Sequence, residues 1–326
     1  MFVTDQRLKA LTNFYGSTFC ESGAVLSALG GDASFRRYFR GASAVAVDSP
    51  NATQKNGEFV SIDLALQRIG VRVPKIYAVD FRQGFLLEED LGNQTFAEVS
   101  VASNRQKFYK RALELLPKIA LTEVFLPVFD ADFIAVEFEI FTKWLLHDAL
   151  HLSLDDDELN MLERTRSDLT RICLAQPQIA VHRDFHSRNL MYKDGELVLI
   201  DFQDMVRGPL QYDAASLIFD CYVNLGEKLQ KELIDYSYAL YAKHKMLRGL
   251  SADDYSFALN AVSLQRHLKV LGIFNRLNLR DGKSSYLKDL PLVLRYALNE
   301  SKKVGFNELY AFLQEKVQPG VLACAR

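Results

Sequence analysis

The stretch His182-Arg183-Asp184-Phe185-His186-Ser187-Arg188-Asn189 carries more information than any other part of the chain. It holds a carboxylate, Asp184, and a carboxamide, Asn189, five residues apart within a short polar loop. A loop of that length aims both groups at one place. A carboxylate there can accept or orient a proton, and an amide oxygen can ligate a metal ion. Working outward, Glu196-Leu197-Val198-Leu199-Ile200-Asp201-Phe202 reads as an apolar strand ending in a second carboxylate. Asp201 lies 17 residues after Asp184, which leaves room for one hairpin.

The pattern His-Arg-Asp with Asn five residues beyond Asp is that of the catalytic loop of protein-kinase-like phosphotransferases, and Asp201-Phe202 falls where those enzymes carry Asp-Phe-Gly. The expected roles are Asp184 as the catalytic carboxylate and Asn189 and Asp201 as ligands of Mg²⁺ on ATP. Gln203 stands in place of the glycine, a departure usual in small-molecule kinases. Gly208-Pro209 followed by Tyr212-Asp213 resembles the segment whose Asp anchors the loop backbone, so His182 and Asp213 are expected to be structural support.

The surrounding text predicts an α+β, protein-kinase-like two-lobed fold. Residues 1–91 read as a small β-rich nucleotide lobe with a leading helix. Residues 92–326 read as a larger helical lobe with the catalytic loop and the acceptor site. Ser34–Arg40 alternates apolar and basic residues, the period of a strand with two unlike faces. Ala44–Val47 is a second strand, stopped by Asp48-Ser49-Pro50. Phe59, Ile62, Leu66 and Ile69 keep helical spacing, and Lys75–Asp80 and Gly84–Glu88 read as two strands around a turn. Helical stripes cover 104–121, 132–150, 155–173, 227–245, 253–278 and 287–302, the third opened by Asp155-Asp156-Asp157.

On the nucleotide side, Gly30-Gly31-Asp32-Ala33-Ser34 sits between strands where kinases keep a phosphate-covering loop; Gly30, Gly31 and Ser34 are its candidates. It is equally readable as a hairpin turn. The strand lysine of kinases is missing: Val45-Ala46-Val47 runs into Asp48. Of the nearby Arg36, Arg37 and Arg40, Arg37 is the leading substitute, with Glu58 and Asp63 weaker partners for a cation. Glu88-Glu89-Asp90-Leu91 falls at the expected hinge, which makes Glu89 and Leu91 adenine-side candidates by position. Gly282-Lys283-Ser284 lacks the first glycine of a Walker A loop, since Leu277 stands there.

At 31–40, 182–190 and 264–274 the chain resembles one subgroup of the aminoglycoside/choline-kinase-like phosphotransferases, the bacterial anomeric kinases of N-acetylmuramate and N-acetylglucosamine. The resemblance implies ATP- and Mg²⁺-dependent phosphorylation of the sugar C1 hydroxyl, cytoplasmic location and a place in peptidoglycan recycling. It also implies an acceptor site bordered by the helix of Glu137, Glu139 and Trp144, with Arg188 and Arg266 as further candidates. Two other readings compete. One keeps the fold with a different acceptor, an aminoglycoside or a choline-like alcohol. The other is a kinase-like nucleotide-binding protein without turnover.

Composition narrows the partners. Lys and Arg total 39 against 41 Asp and Glu, a net charge of −2, so no basic field for nucleic acid is expected. Cys20, Cys173, Cys221 and Cys324 form no C-x-x-C pair, which argues against a zinc ribbon or a disulfide framework. Met1–Ala10 is polar where a signal peptide is apolar, and no run approaches the ~20 apolar residues that cross a bilayer. The expected partner is a small sugar, with no nucleic acid and no membrane; oligomeric state is not set by these features.

Overall fold

The structure, a computed structural model, describes residues 5–30 and 36–324. The elements in chain order are α1 (Gln6–Phe19), β1 (Ser27–Ala28), β2 (Arg37–Arg40), β3 (Val45–Asp48), α2 (Asn56–Arg68), β4 (Ile76–Asp80), β5 (Phe85–Glu88), α3 (Phe96–Val99), α4 (Arg105–Leu113), α5 (Leu116–Ile119) and α6 (Ala131–Ile140). A π-helical segment, Phe141–Ala149, continues α6. Then come α7 (Asp156–Leu174), β6 (Gln178–Val181), β7 (Leu190–Lys193), β8 (Glu196–Leu199), β9 (Val206–Pro209), α8 (Tyr212–Ile218), α9 (Glu227–Lys243), α10 (Ala252–Asp281), a 3₁₀ turn (Ser284–Asp289), α11 (Leu290–Lys303), α12 (Asn307–Phe312), a second π segment (Leu313–Val317) and α13 (Gln318–Cys324).

The chain divides into two compact units, residues 1–99 with 190–203, and residues 100–189 with 204–326. Among the described residues the first unit holds an antiparallel five-stranded sheet in the order β1-β2-β3-β5-β4. Strand side chains alternate between faces. Phe39, Ala44, Ala46, Phe85 and Leu87 therefore share one face, where they form a core with Leu11 and Tyr15 of α1. Tyr38, Val47 and Leu86 lie on the other.

Two boundaries differ from the sequence reading. Residues 92–99 and 190–203, expected in the C-terminal part, belong to the first unit. The β7–β8 hairpin is fastened there by long-range bonds: Tyr192 N–H to Gln94 O at 2.9 Å, Leu199 N–H to Arg72 O at 2.8 Å, and Lys193 Nζ to Glu89 at 2.8 Å. None of these is visible in local spacing.

The second unit is helical around α10. Ser251 caps its start by accepting from Asp254 N, and Gly282, at φ +68°, closes it. Its middle is buried on every face and packs into a core with the first π segment and α11. α7 opens with a capping box, Asp155 accepting from Glu158 N and Glu158 accepting from Asp155 N. The helix expected over 104–121 is broken into α4 and α5, and Pro117, which lacks an N–H, lies in the first turn of α5. The helix expected over 132–150 changes from α to π at Phe141. There α10 comes so close that a Cβ on Gly272 would lie 2.2 Å from the Ile140 carbonyl oxygen. The helix α8 was not foreseen, because all its residues are buried and it has no amphipathic period. Among the described residues no helix is long and apolar enough to cross a membrane.

Candidate active site

In the second unit β6 pairs antiparallel with β9, and the chain leaves β6 at Val181 to enter the loop 182–189. Two buried aspartates hold that loop. Asp213, in the first turn of α8, accepts from His182 N at 2.7 Å and Arg183 N at 2.9 Å. Asp220, just beyond α8, accepts from Ser187 N at 2.8 Å and Tyr222 N at 2.7 Å. Burial pushes Asp213 up to about 6, against the pull of His182 and the two amides. His182 is fully enclosed, its ring edge-on to Phe185. Arg183 is a non-glycine residue at φ +76°, a conformation that persists only where surroundings over-determine it.

Those surroundings are a buried ionic network. Arg183 donates to Glu137 Oε1 at 2.8 Å and lies over the Phe133 ring at 4.8 Å. Glu137 also takes Lys269 Nζ at 3.2 Å and Gln265 Nε2 at 2.8 Å, and Lys269 reaches Tyr212 Oη at 3.0 Å. Burial alone would raise Glu137, but Lys269 and Arg183 hold it below the usual carboxylate range. Within the loop, the Asp184 carbonyl accepts from His186 N at 3.0 Å and Asn189 Nδ2 at 3.0 Å. The Asn189 amide is thus oriented by its nitrogen. Burial works to raise Asp184 as well, yet the positive charges of Lys269 and Arg183, with Arg266, outweigh it and keep the carboxyl ionised.

In the first unit β8 ends in the turn Ile200-Asp201-Phe202-Gln203. Asp201 sits at φ +62°, a second strained non-glycine position. Phe202 is buried and stacks on Phe59 of α2, centroids 4.8 Å apart. Gln203 donates from Nε2 to Asp201 Oδ1 at 2.8 Å. Asn189 and Asp201 offer hard oxygen donors of the kind Mg²⁺ takes, and Mg²⁺ is commonly held by one or two protein ligands plus phosphates. Among the described residues no group of three His, Cys, Asp or Glu side chains stands ready to bind a metal unaided.

The nucleotide-side candidates divide. Gly30 is exposed, and Gly31 and Ser34 lie outside the described residues. Arg37, the expected substitute for the missing lysine, is on the α1 face with its guanidinium held by Asp5 and Asp48, which raise its pKa; Asp48 is also paired with Arg7. Its charge is already engaged there. The Glu89 carboxylate is clamped by Arg72 at 2.7 and 2.8 Å and by Lys193, and falls to about 2, so its side chain secures the β7–β8 hairpin. Leu91 is half-buried in the segment after β5.

Residues 25–247 match the family model described as the phosphotransferase enzyme family. The chain belongs to that family. Over four-fifths of both chains (81% of this one, 80% of the other) it is 36% identical to the N-acetylmuramate/N-acetylglucosamine kinase of Pseudomonas aeruginosa. It is 31% identical to the protein of that name from Neisseria meningitidis, over 96% of each. Among solved structures, Plasmodium vivax ethanolamine kinase superposes with a TM-score of 0.62 at 13% identity, covering 86% of this chain and 84% of that one, a likeness of fold.

In this phosphotransferase the acceptor candidates lie in different surroundings. Glu139 is exposed on α6. Trp144 is half-buried in the π segment with Lys143 Nζ 5.2 Å from its ring. Arg188 lies over the Tyr222 ring at 3.5 Å and 3.8 Å from Asp289. Arg266 is only 1% exposed and donates to Cys221 Sγ at 3.3 Å. Its guanidinium is enclosed rather than presented on a surface. Two positions escaped the sequence reading: Asp220, whose only local signal is a single acid closing the apolar run Ala214–Phe219, and the buried Lys269.

Proposed function

We propose that this phosphotransferase moves the γ-phosphoryl group of ATP to the anomeric hydroxyl of N-acetylmuramate or N-acetylglucosamine, in the cytoplasm, as part of cell-wall sugar recycling. The observation that carries the reading is 36% identity, across four-fifths of both chains, to a relative bearing that name. The sugar oxygen attacks the γ-phosphorus, the bond to the departing ADP breaks, and the hydroxyl proton leaves toward Asp184 or solvent. An anomeric hydroxyl is more acidic than other sugar hydroxyls. An ionised, weakly basic carboxylate is therefore sufficient, and positioning supplies most of the catalysis. Asn189 and Asp201 would hold Mg²⁺, which neutralises charge on the transferring phosphate when bound. His182, Asp213 and Asp220 keep the loop in shape.

The test is phosphorus NMR of a reaction containing N-acetylmuramate and Mg-ATP. The expected result is ADP and a phosphomonoester coupled to the anomeric proton. Phosphate on another hydroxyl, or turnover confined to amino-cyclitols or choline, would overturn the acceptor assignment.

A further inference from the structure

We propose that Arg36 and Gln203 form a positioning relay that sets the Asp201 carboxylate for the metal–nucleotide complex, and that the relay takes over from the missing strand lysine. The inference rests on the proposed function for the role of Asp201. Its evidence lies within the first unit.

The β2–β3 register pairs Arg37 with Asp48 and Tyr38 with Val47. Alternation then puts Asp48 on the α1 face and directs Arg36 to the opposite face, across from Ser49. A lysine at 48 would have pointed toward α1; the positions flanking it, Val47 and Ser49, face the other way. Serine is short, and the Arg36 guanidinium reaches that space from the neighbouring strand. Its Nε donates to Ser49 Oγ at 3.2 Å, and Ser49 is in turn fixed by Asn56, which accepts from Oγ at 2.5 Å and donates to the Ser49 carbonyl at 2.8 Å. The guanidinium carbon lies 4.2 Å from the Phe59 ring centroid, on the same ring that stacks on Phe202. Arg36 is 5% exposed, so this arrangement is enclosed.

From there one amide completes the link. Arg36 Nη1 donates to Gln203 Oε1 at 3.4 Å, and Gln203 Nε2 donates to Asp201 Oδ1 at 2.8 Å. Each end of the amide faces a charge of the sign it prefers. The amide thus fixes one carboxylate oxygen and leaves its geometry dependent on Arg36. A glycine at this position would supply no such link. The two departures from the kinase pattern, glutamine for the third residue of Asp-Phe-Gly and no lysine on β3, are on this reading one adaptation.

The experiment is calorimetric titration of ADP into the intact protein, with Mg²⁺ and with EDTA, for the wild type, Gln203→Leu, Arg36→Met and the double variant. Outer-shell partners of a metal ligand typically change metal affinity by about 10–100-fold. The expected result is a loss of about tenfold in Mg-ADP affinity for Gln203→Leu with metal-free ADP affinity unchanged. The double variant should bind no more weakly than Arg36→Met alone, because the two act in series. Arg36→Lys, whose charge lacks the planar fork, should resemble Gln203→Leu and serves if Arg36→Met fails to fold by thermal melting. Wild-type Mg-ADP affinity in Gln203→Leu, or equal losses with and without Mg²⁺, would overturn the relay while the phosphotransferase reading stands. A wild-type protein that binds no ADP under either condition would end both.

Discussion

At the scale of single residues, Asp184 shows how a half-buried carboxylate keeps its charge. Lys269 and Arg183, with Arg266 behind them, hold it ionised against burial, so in the proposed mechanism it would orient an acceptor rather than act as a strong base. Asp184→Asn should lower kcat by about 10²–10⁴-fold and leave ADP affinity, read by calorimetry, near the wild-type value. Turnover at the wild-type rate would remove Asp184 from the mechanism. The spacing of Asp184, Asn189 and Asp201 was readable because a loop and a strand end are local. The difference between Arg36 and Arg37 was also latent, since two adjacent strand residues face opposite ways. Only the pairing of β2 with β3 and α1 shows which face carries the carboxylates that engage Arg37.

Among elements, α10 carries the most structural demand. Gln265, Arg266, His267 and Lys269 are all buried on it, and buried polar groups require partners. Glu137 on α6 takes Gln265 and Lys269, Cys221 takes Arg266, and Glu300 on α11 takes His267. These contacts fix the rotation of the helix against its neighbours. Gly272 sets how near it comes to the α6–π junction. Gly272→Ala must displace backbone there, and should cost about 1–3 kcal/mol in urea unfolding, a penalty of the overpacking type. An unchanged unfolding midpoint would show that the junction relaxes freely. The helical stripe over 132–150 was legible as helix. Its conversion to π at Phe141 was not, because the element pressing on it lies more than a hundred residues away in sequence.

Across the whole molecule, stability should depend on pH through the His267–Glu300 pair. His267 Nδ1 lies 2.8 Å from Glu300 Oε2 and Nε2 lies 3.1 Å from the Phe219 carbonyl. Burial opposes the imidazolium, but Glu300 prevails and raises His267 to about 9 from 6.5. A raised pKa stabilises fully below the unfolded value and loses that contribution as pH climbs through the folded one. Tm should therefore fall between pH 6.5 and about 9, and His267→Gln should flatten that slope while lowering Tm below pH 6.5. A wild-type slope in His267→Gln would assign the dependence to other groups.

The sequence alone determined the α+β class, the phosphotransferase chemistry and most helix positions, since each is written in short-range spacing: a carboxylate and an amide five apart, an apolar strand ending in Asp-Phe, apolar residues recurring at helical period. Tertiary structure decided which arginine faces the Asp-Phe-Gln turn, that Arg266 is enclosed, and that residues 190–203 join the first unit. Those outcomes depend on hydrogen bonds and packing between segments far apart in the chain, and periodicity within one segment carries no record of what will lie against it.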